Sequence, residues 1–128
     1  MEDLKPVYIV SLGPGEAGLI SLIGGATLCR ANAIFCPKTN ARSRSSVLLK
    51  ELKIKKESIR RYTLPMSKKR EMAYEAYDKV FEEIVSLYSE GLCVAIVAEG
   101  DAGFYSSTSY LVGKLKKVGI PIKQIAGV

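Results

Sequence analysis

Two glycine-rich segments concentrate the side chains and backbone that could do chemistry. Gly13-Pro14-Gly15-Glu16-Ala17-Gly18 has the spacing GxGxxG. Glu99-Gly100-Asp101-Ala102-Gly103-Phe104-Tyr105-Ser106-Ser107 brings two glycines, two carboxylates and two aromatic rings together. Glycines without a Cβ let a ligand approach the backbone closely. An ionised Asp101 only accepts hydrogen bonds, which suits an ammonium group or ribose hydroxyls. Phe104 and Tyr105 offer apolar or stacking surface. Asp101 also suits an N-cap on a following helix, and composition leaves both roles open.

GxGxxG is the dinucleotide fingerprint when it joins a strand to a helix. Two details count against that use. Pro14 lacks a backbone N–H and fixes φ near −65°, stiffening a loop that would have to wrap a pyrophosphate. The acidic residue expected after the second strand is also missing, because the segment there reads Cys36-Pro37-Lys38. Lys38 is the one feature that would suit an NADP phosphate.

Histidine is absent from the chain. Ser-His-Asp and Cys-His catalysis, HExxH sites and Cys2His2 zinc sites are therefore excluded, and no metal-ligand set is read from the sequence. Cys29, Cys36 and Cys93 form no CxxC pair, and an odd count cannot close a complete set of intrachain disulfides. Reduced, mostly buried thiols in a cytoplasmic protein are the expectation.

Elements must position these loops. Residues 7–12 form a nearly continuous apolar run, the pattern of a parallel strand buried on both faces. A helix over 19–31 follows, with Leu19, Ile20, Leu22, Ile23, Ala26 and Leu28 as its apolar face. Gly24-Gly25 weakens that helix by about 1 kcal/mol per glycine, so close packing is their expected use. Residues 33–36 read as a second strand closed by Pro37, 45–52 as a short helix and 58–62 as a weak strand. The clearest helix is 68–90, where Met72, Ala76, Tyr77, Val80, Phe81, Ile84, Val85 and Tyr88 recur at three- and four-residue steps. Gly91 stands where a left-handed C-terminal cap belongs. A buried strand over 92–98, a helix over 105–118 and a strand over 120–125 complete the pattern.

Strands alternating with crossover-length helices predict one α/β domain, with a mainly parallel sheet and helices on both faces. The chain is 48% apolar and 25% charged, a globular composition, and holds no apolar stretch long enough to span a bilayer. The start lacks a signal-peptide pattern. Ala126-Gly127-Val128 directly follows a strand, so the chain is expected to be part of something longer.

The net charge of +6 is uneven. Between Lys38 and Arg70 lie twelve basic residues against only Glu51 and Glu57. Such a cluster suits a polyanionic partner, whether nucleic acid, phosphate or a polycarboxylate, and suits a solvated surface equally well.

Three segments together carry a family resemblance. Val7-Tyr8-Ile9-Val10-Ser11-Leu12-Gly13-Pro14-Gly15, with Leu19-Ile20-Ser21-Leu22 after it, resembles the opening GxGPG…LLTL signature of the tetrapyrrole methylases. Ala98-Glu99-Gly100-Asp101-Ala102-Gly103-Phe104-Tyr105 is similar to that family's EGDPxFY segment. Ile125-Ala126-Gly127-Val128 looks like the start of its PGV(S/T) turn. The order is right and the three span essentially the whole chain.

The resemblance implies the N-terminal domain of a class III methyltransferase fold, with the C-terminal domain absent from this chain. It implies S-adenosylmethionine held between two domains. By position, Pro14, Glu99, Gly100, Asp101 and Phe104 would line the cofactor site, and further contacts would lie beyond Val128. A homodimer is implied as well. Alanine replaces the family's proline at Ala17, Ala102 and Ala126, loosening each loop by up to about 1 kcal/mol through the unfolded state.

Within the family, Cys36-Pro37-Lys38 with Arg42, Arg44, Ser45 and Ser46 is similar to the YPK…GRSS segment of enzymes that methylate precorrin-2 at C20. Leu64-Pro65-Met66-Ser67-Lys68 resembles their FPM(T/S) segment. A polycarboxylate tetrapyrrole gives the basic cluster a purpose, since arginine and lysine pair well with carboxylates. Lys38, Arg42 and Arg44 are the expected substrate contacts, with Arg60 and Arg61 on the surface. Methyl transfer from a sulfonium needs positioning and exclusion of water more than a nucleophilic side chain. No general base is evident, and Tyr105 is named only because it lies in the loop. A same-fold methylase acting on RNA or protein, and a non-catalytic nucleotide- or tetrapyrrole-binding module, are the alternatives.

Overall fold

The structure, a computed structural model, describes residues 5–11, 22–38, 49, 50, 52–63, 70–98 and 102–125. Five strands alternate with helices: β1 (Val7–Ser11), α1 (Leu22–Arg30), β2 (Ala33–Lys38), β3 (Ile59–Thr63), α2 (Arg70–Ser89), β4 (Val94–Ala98), α3 (Ala102–Lys117) and β5 (Ile122–Ile125). A 3-10 turn, Lys56–Ser58, leads into β3. The strands form one sheet in the order β3-β2-β4-β1-β5, and every pairing is parallel.

Alternation along the strands divides the core in two. Val7 and Ile9 of β1, Ala33 and Phe35 of β2, and Val94, Ile96 and Ala98 of β4 pack with Val80 and Ile84 of α2 and Leu111 and Leu115 of α3. Val10, Ile34, Cys36, Ala95 and Val97 point the other way, to Leu28 of α1 and to Leu49. β4 lies at the centre of the sheet, and all five of its residues are buried. Burying each large aliphatic side chain contributes roughly 1.5–3 kcal/mol.

The strand and helix pattern expected from the sequence is present, and several particulars differ. β2 runs through Pro37 to Lys38 instead of stopping at Pro37. Its pairing with β4 covers only Ala33–Phe35, so at Pro37 no β4 residue needs the missing N–H. Pairing with β3 continues to Lys38 opposite Thr63.

The buried face of α1 is also not the expected one. Gly24, Gly25, Thr27 and Leu28 are buried, whereas Ile23 is 67% exposed and Ala26 is exposed. The Thr27 hydroxyl is satisfied by donating to the Ile23 carbonyl at 2.7 Å, which lets that polar side chain face inward. Cys29 falls on the outer side of the same helix and is exposed, while Cys36 is buried and Cys93 half-buried, and none of the three is in a disulfide. The expectation of mostly buried thiols therefore fails for Cys29.

Three helical segments end alike. Leu92 N–H donates to Leu87 O and Gly91 N–H to Tyr88 O; Ile120 donates to Leu115 O and Gly119 to Lys116 O. Gly91 and Gly119 have φ of 85° and 84°, the left-handed cap expected at Gly91. Ile54 and Lys53 make the same pair of bonds to Leu49 and Lys50, with Lys53 at φ 57°. Of the helix expected over 45–52, Leu49 and Lys50 are helical and Leu52 is already in the turn; residues 45–48 and 51 lie outside the described residues.

Candidate functional site

Register places the chemistry-bearing segments. Ser11, the last residue of β1, lies opposite Ala98, the last residue of β4, and Val10 lies opposite Ile125, the last residue of β5. The segments beginning at residues 12, 99 and 126 therefore leave one edge of the sheet from three adjacent strands. Neighbouring strands are about 4.8 Å apart. Lys38, at the C-terminal end of β2, belongs to the same edge.

The chain leaves β1 and β4 in opposite directions. From β1 it goes by way of α1, on one face, to β2; from β4 it goes by way of α3, on the other face, to β5. β1 and β4 are neighbours, so the connections from their carboxyl ends lead to helices on opposite faces of the sheet. That reversal is the topological switch point at which open α/β sheets bind ligands.

α3 starts earlier than the sequence suggests, at Ala102 rather than Tyr105. Phe104 and Tyr105 are thus in its first turn, and Asp101 is the residue immediately before it in the sequence. The first four N–H groups of a helix have no intrahelical acceptor, and its N-terminal end carries partial positive charge. No acidic residue in the first turn of α3 offsets this, and Lys114, Lys116 and Lys117 complement the opposite end. Pro14, Arg42, Arg44, Glu99, Gly100 and Asp101 lie outside the described residues, as do the side chains of Lys38, Phe104 and Tyr105.

A contact between helices fixes α3 against α2. The Asp78 carboxylate accepts from the Tyr110 hydroxyl at 2.8 Å and from the Lys114 ammonium. Lys114 also lies 4.6 Å from the centre of the Phe81 ring. The hydrogen bond from Lys114, with that from Tyr110, holds the Asp78 carboxyl below its ordinary value. The bond to Asp78 raises Lys114 in turn. Sequence reading had no signal for this pair, because Asp78 and Lys114 are far apart in the chain.

Among the described residues the basic segment is not one patch. Lys53, Lys55 and Lys56 are exposed and lie just before β3, at the amino end of the sheet. The length of a five-residue strand, roughly 16 Å, separates them from the edge that bears Lys38. Arg60 and Arg61 are exposed on the edge strand β3, and Arg60 pairs with Glu83 of α2 at 3.0 Å.

A parallel sheet with helices on both faces, whose β4, β1 and β5 end side by side, defines the class of fold. Residues 6–128 match the family of Tetrapyrrole (Corrin/Porphyrin) Methylases, and the chain belongs to that family. Over 127 residues it is 28% identical to a probable cobalt-precorrin-2 C(20)-methyltransferase of Methanocaldococcus jannaschii, covering 98% of this chain and 54% of the relative. Among solved structures it resembles a cobalt precorrin-4 methyltransferase of cobalamin biosynthesis, with TM-score 0.69 and 21% identity over 96% of this chain and 46% of that one. It also resembles the uroporphyrin-III-C-methyltransferase of Thermus thermophilus, with TM-score 0.65 and 18% identity over 96% and 47% of the two chains. The chain thus spans about half the length of the relatives it matches.

Proposed function

We propose that this chain is the N-terminal, S-adenosylmethionine-binding domain of a tetrapyrrole C-methyltransferase, with precorrin-2 methylated at C20 as its reaction. The observation that carries the reading is the strand register. The three segments resembling the family's motifs follow from β4, β1 and β5, which end side by side, and β4 and β1 flank the switch point. The relative from Methanocaldococcus jannaschii supports the choice of substrate.

In this reading Pro14 stiffens the first loop, and the backbone of Glu99 and Gly100 lets the cofactor come close. Asp101 accepts hydrogen bonds from it, and Phe104 supplies apolar surface. The bound cofactor supplies an activated methyl group. The protein's work is to align it with the tetrapyrrole carbon and keep water out. Lys38, Arg42 and Arg44 pair with substrate carboxylates, and Tyr105 stands beside the cofactor loop without an assigned proton. A C-terminal domain outside this chain completes the cleft. The working form is a cytoplasmic homodimer.

Calorimetry with S-adenosylhomocysteine on the protein containing this domain tests the cofactor. Binding that weakens about tenfold in Asp101→Asn is the expected result, the size of one lost charge-assisted hydrogen bond. Absence of binding overturns the methylase reading. A methyl-transfer assay offering precorrin-2 or RNA then tests the substrate, and inactivity on precorrin-2 with activity on RNA overturns the C20 assignment.

A further inference from the structure

The opposite edge of the sheet holds a cleft of about 250 Å³ lined by Lys5, Pro6, Tyr8, Thr27, Arg30 and Cys93. Lys5 and Pro6 lead into β1, Cys93 leads into β4, and Arg30 closes α1. The cleft therefore lies at the amino ends of the same two central strands whose carboxyl ends form the switch point.

Its walls are well tied together. Asn32 Oδ1 accepts from the Cys93 N–H at 2.8 Å, and the Asn32 N–H donates to Cys93 O at 2.8 Å. Tyr88 donates its hydroxyl proton to Lys5 O at 2.6 Å, fixing the start of β1 to the end of α2. The Thr27 hydroxyl is already spent on Ile23 O.

Among the described residues the charge of the lining is one-sided, with two cations and no carboxylate. Lys5 Nζ makes one hydrogen bond, to Gly91 O at 3.3 Å, leaving further N–H groups for another acceptor. The Arg30 guanidinium has no hydrogen bond or ion pair with any of the described residues. The lining surface is largely apolar, and Pro6, Tyr8 and Cys93 contribute to it beside the two cations. A volume below the roughly 300–1,000 Å³ of drug-sized sites sets the scale of an occupant.

We propose that this cleft binds a small organic oxyanion, a carboxylate or phosphate monoester on a flat apolar body. Arg30 and Lys5 take the anionic group, and Pro6 and Tyr8 underlie the body. The guanidinium offers a planar fork that matches either oxyanion. The inference does not depend on the methylase reading, since neither cation belongs to a motif segment and none of the proposed cofactor or substrate contacts takes part in it.

A nitrogen-15 NMR titration of the protein containing this domain with benzoate, phenyl phosphate and benzyl alcohol tests it. At least one of the two anions shifts the amides of residues 5–8, 27–32 and 91–93 saturably, while benzyl alcohol at the same concentration does not. Arg30→Gln, at an exposed position, raises the midpoint about tenfold, as expected for one lost charge-assisted bond. Arg61→Gln, on the far edge strand, leaves it unchanged. The proposal is overturned if neither anion gives saturable shifts, if benzyl alcohol shifts the same amides equally, or if Arg30→Gln leaves the midpoint where it was.

Discussion

Replacing glycine by alanine should have opposite signs at two positions of this chain. At Gly91 the backbone has φ of 85°, and a Cβ built there meets nothing within 4 Å. The whole cost is therefore conformational, about 1–2 kcal/mol for a left-handed residue that is not glycine. At Gly113, within α3, a Cβ also meets nothing within 4 Å, but the backbone is helical. There the substitution removes unfolded-state freedom and stabilises by about 0.5–1 kcal/mol. Urea denaturation followed by circular dichroism reads both changes. With a slope of roughly 1–3 kcal/mol per molar urea, each moves the midpoint by about 0.5 M in opposite directions at constant slope. An unchanged midpoint in Gly91→Ala, or a lowered one in Gly113→Ala, would refute backbone conformation as the controlling factor.

Gly25→Ala should also stabilise, by about 0.5–1 kcal/mol, because its Cβ would sit at an ordinary 3.9 Å from Leu52 Cδ2; a lower urea midpoint would mean the helix needs closer approach than its geometry indicates. Asp78→Asn should destabilise at neutral pH. The depressed Asp78 contributes fully above its ordinary 3.8 and loses that contribution as pH falls through its lower folded value. The raised Lys114 contributes fully below 10.5 and loses that as pH rises through its higher folded value. The difference in melting temperature between wild type and variant is therefore flat across the middle of the pH range and shrinks at both extremes, which thermal melts at several pH values would check. Phe35→Ala, at 1% exposure, should cost about 3–5 kcal/mol in chemical denaturation. Ile23→Ala, at 67% exposure, should stay within about 0.5 kcal/mol of wild type.

Local features of the sequence were enough for the elements. The apolar run at residues 7–12, the three- and four-residue steps from Tyr77 to Tyr88, and Gly91 after them each depend on near neighbours, and each has its counterpart in β1, α2 and a glycine cap. The family signatures were also legible, because they are contiguous strings. The face of α1 was not. Hydropathy favoured burying Ile23 and Ala26, yet a helix lying close to a sheet can turn small residues inward, and Gly24, Gly25 and Thr27 take those places.

The sequence by itself therefore determined an α/β chain with reactive-looking loops after its first and fourth strands. Only the tertiary structure decided that those strands are neighbours, through the pairing of Tyr8 with Ala95 and of Ser11 with Ala98. It also divided the basic segment, leaving Lys38 at the edge with the motif loops and Lys53, Lys55 and Lys56 at the other. The physical reason is the same in both cases. Strand order is set by hydrogen bonds between distant residues, and neither periodicity nor charge count along the chain encodes which distant residues meet.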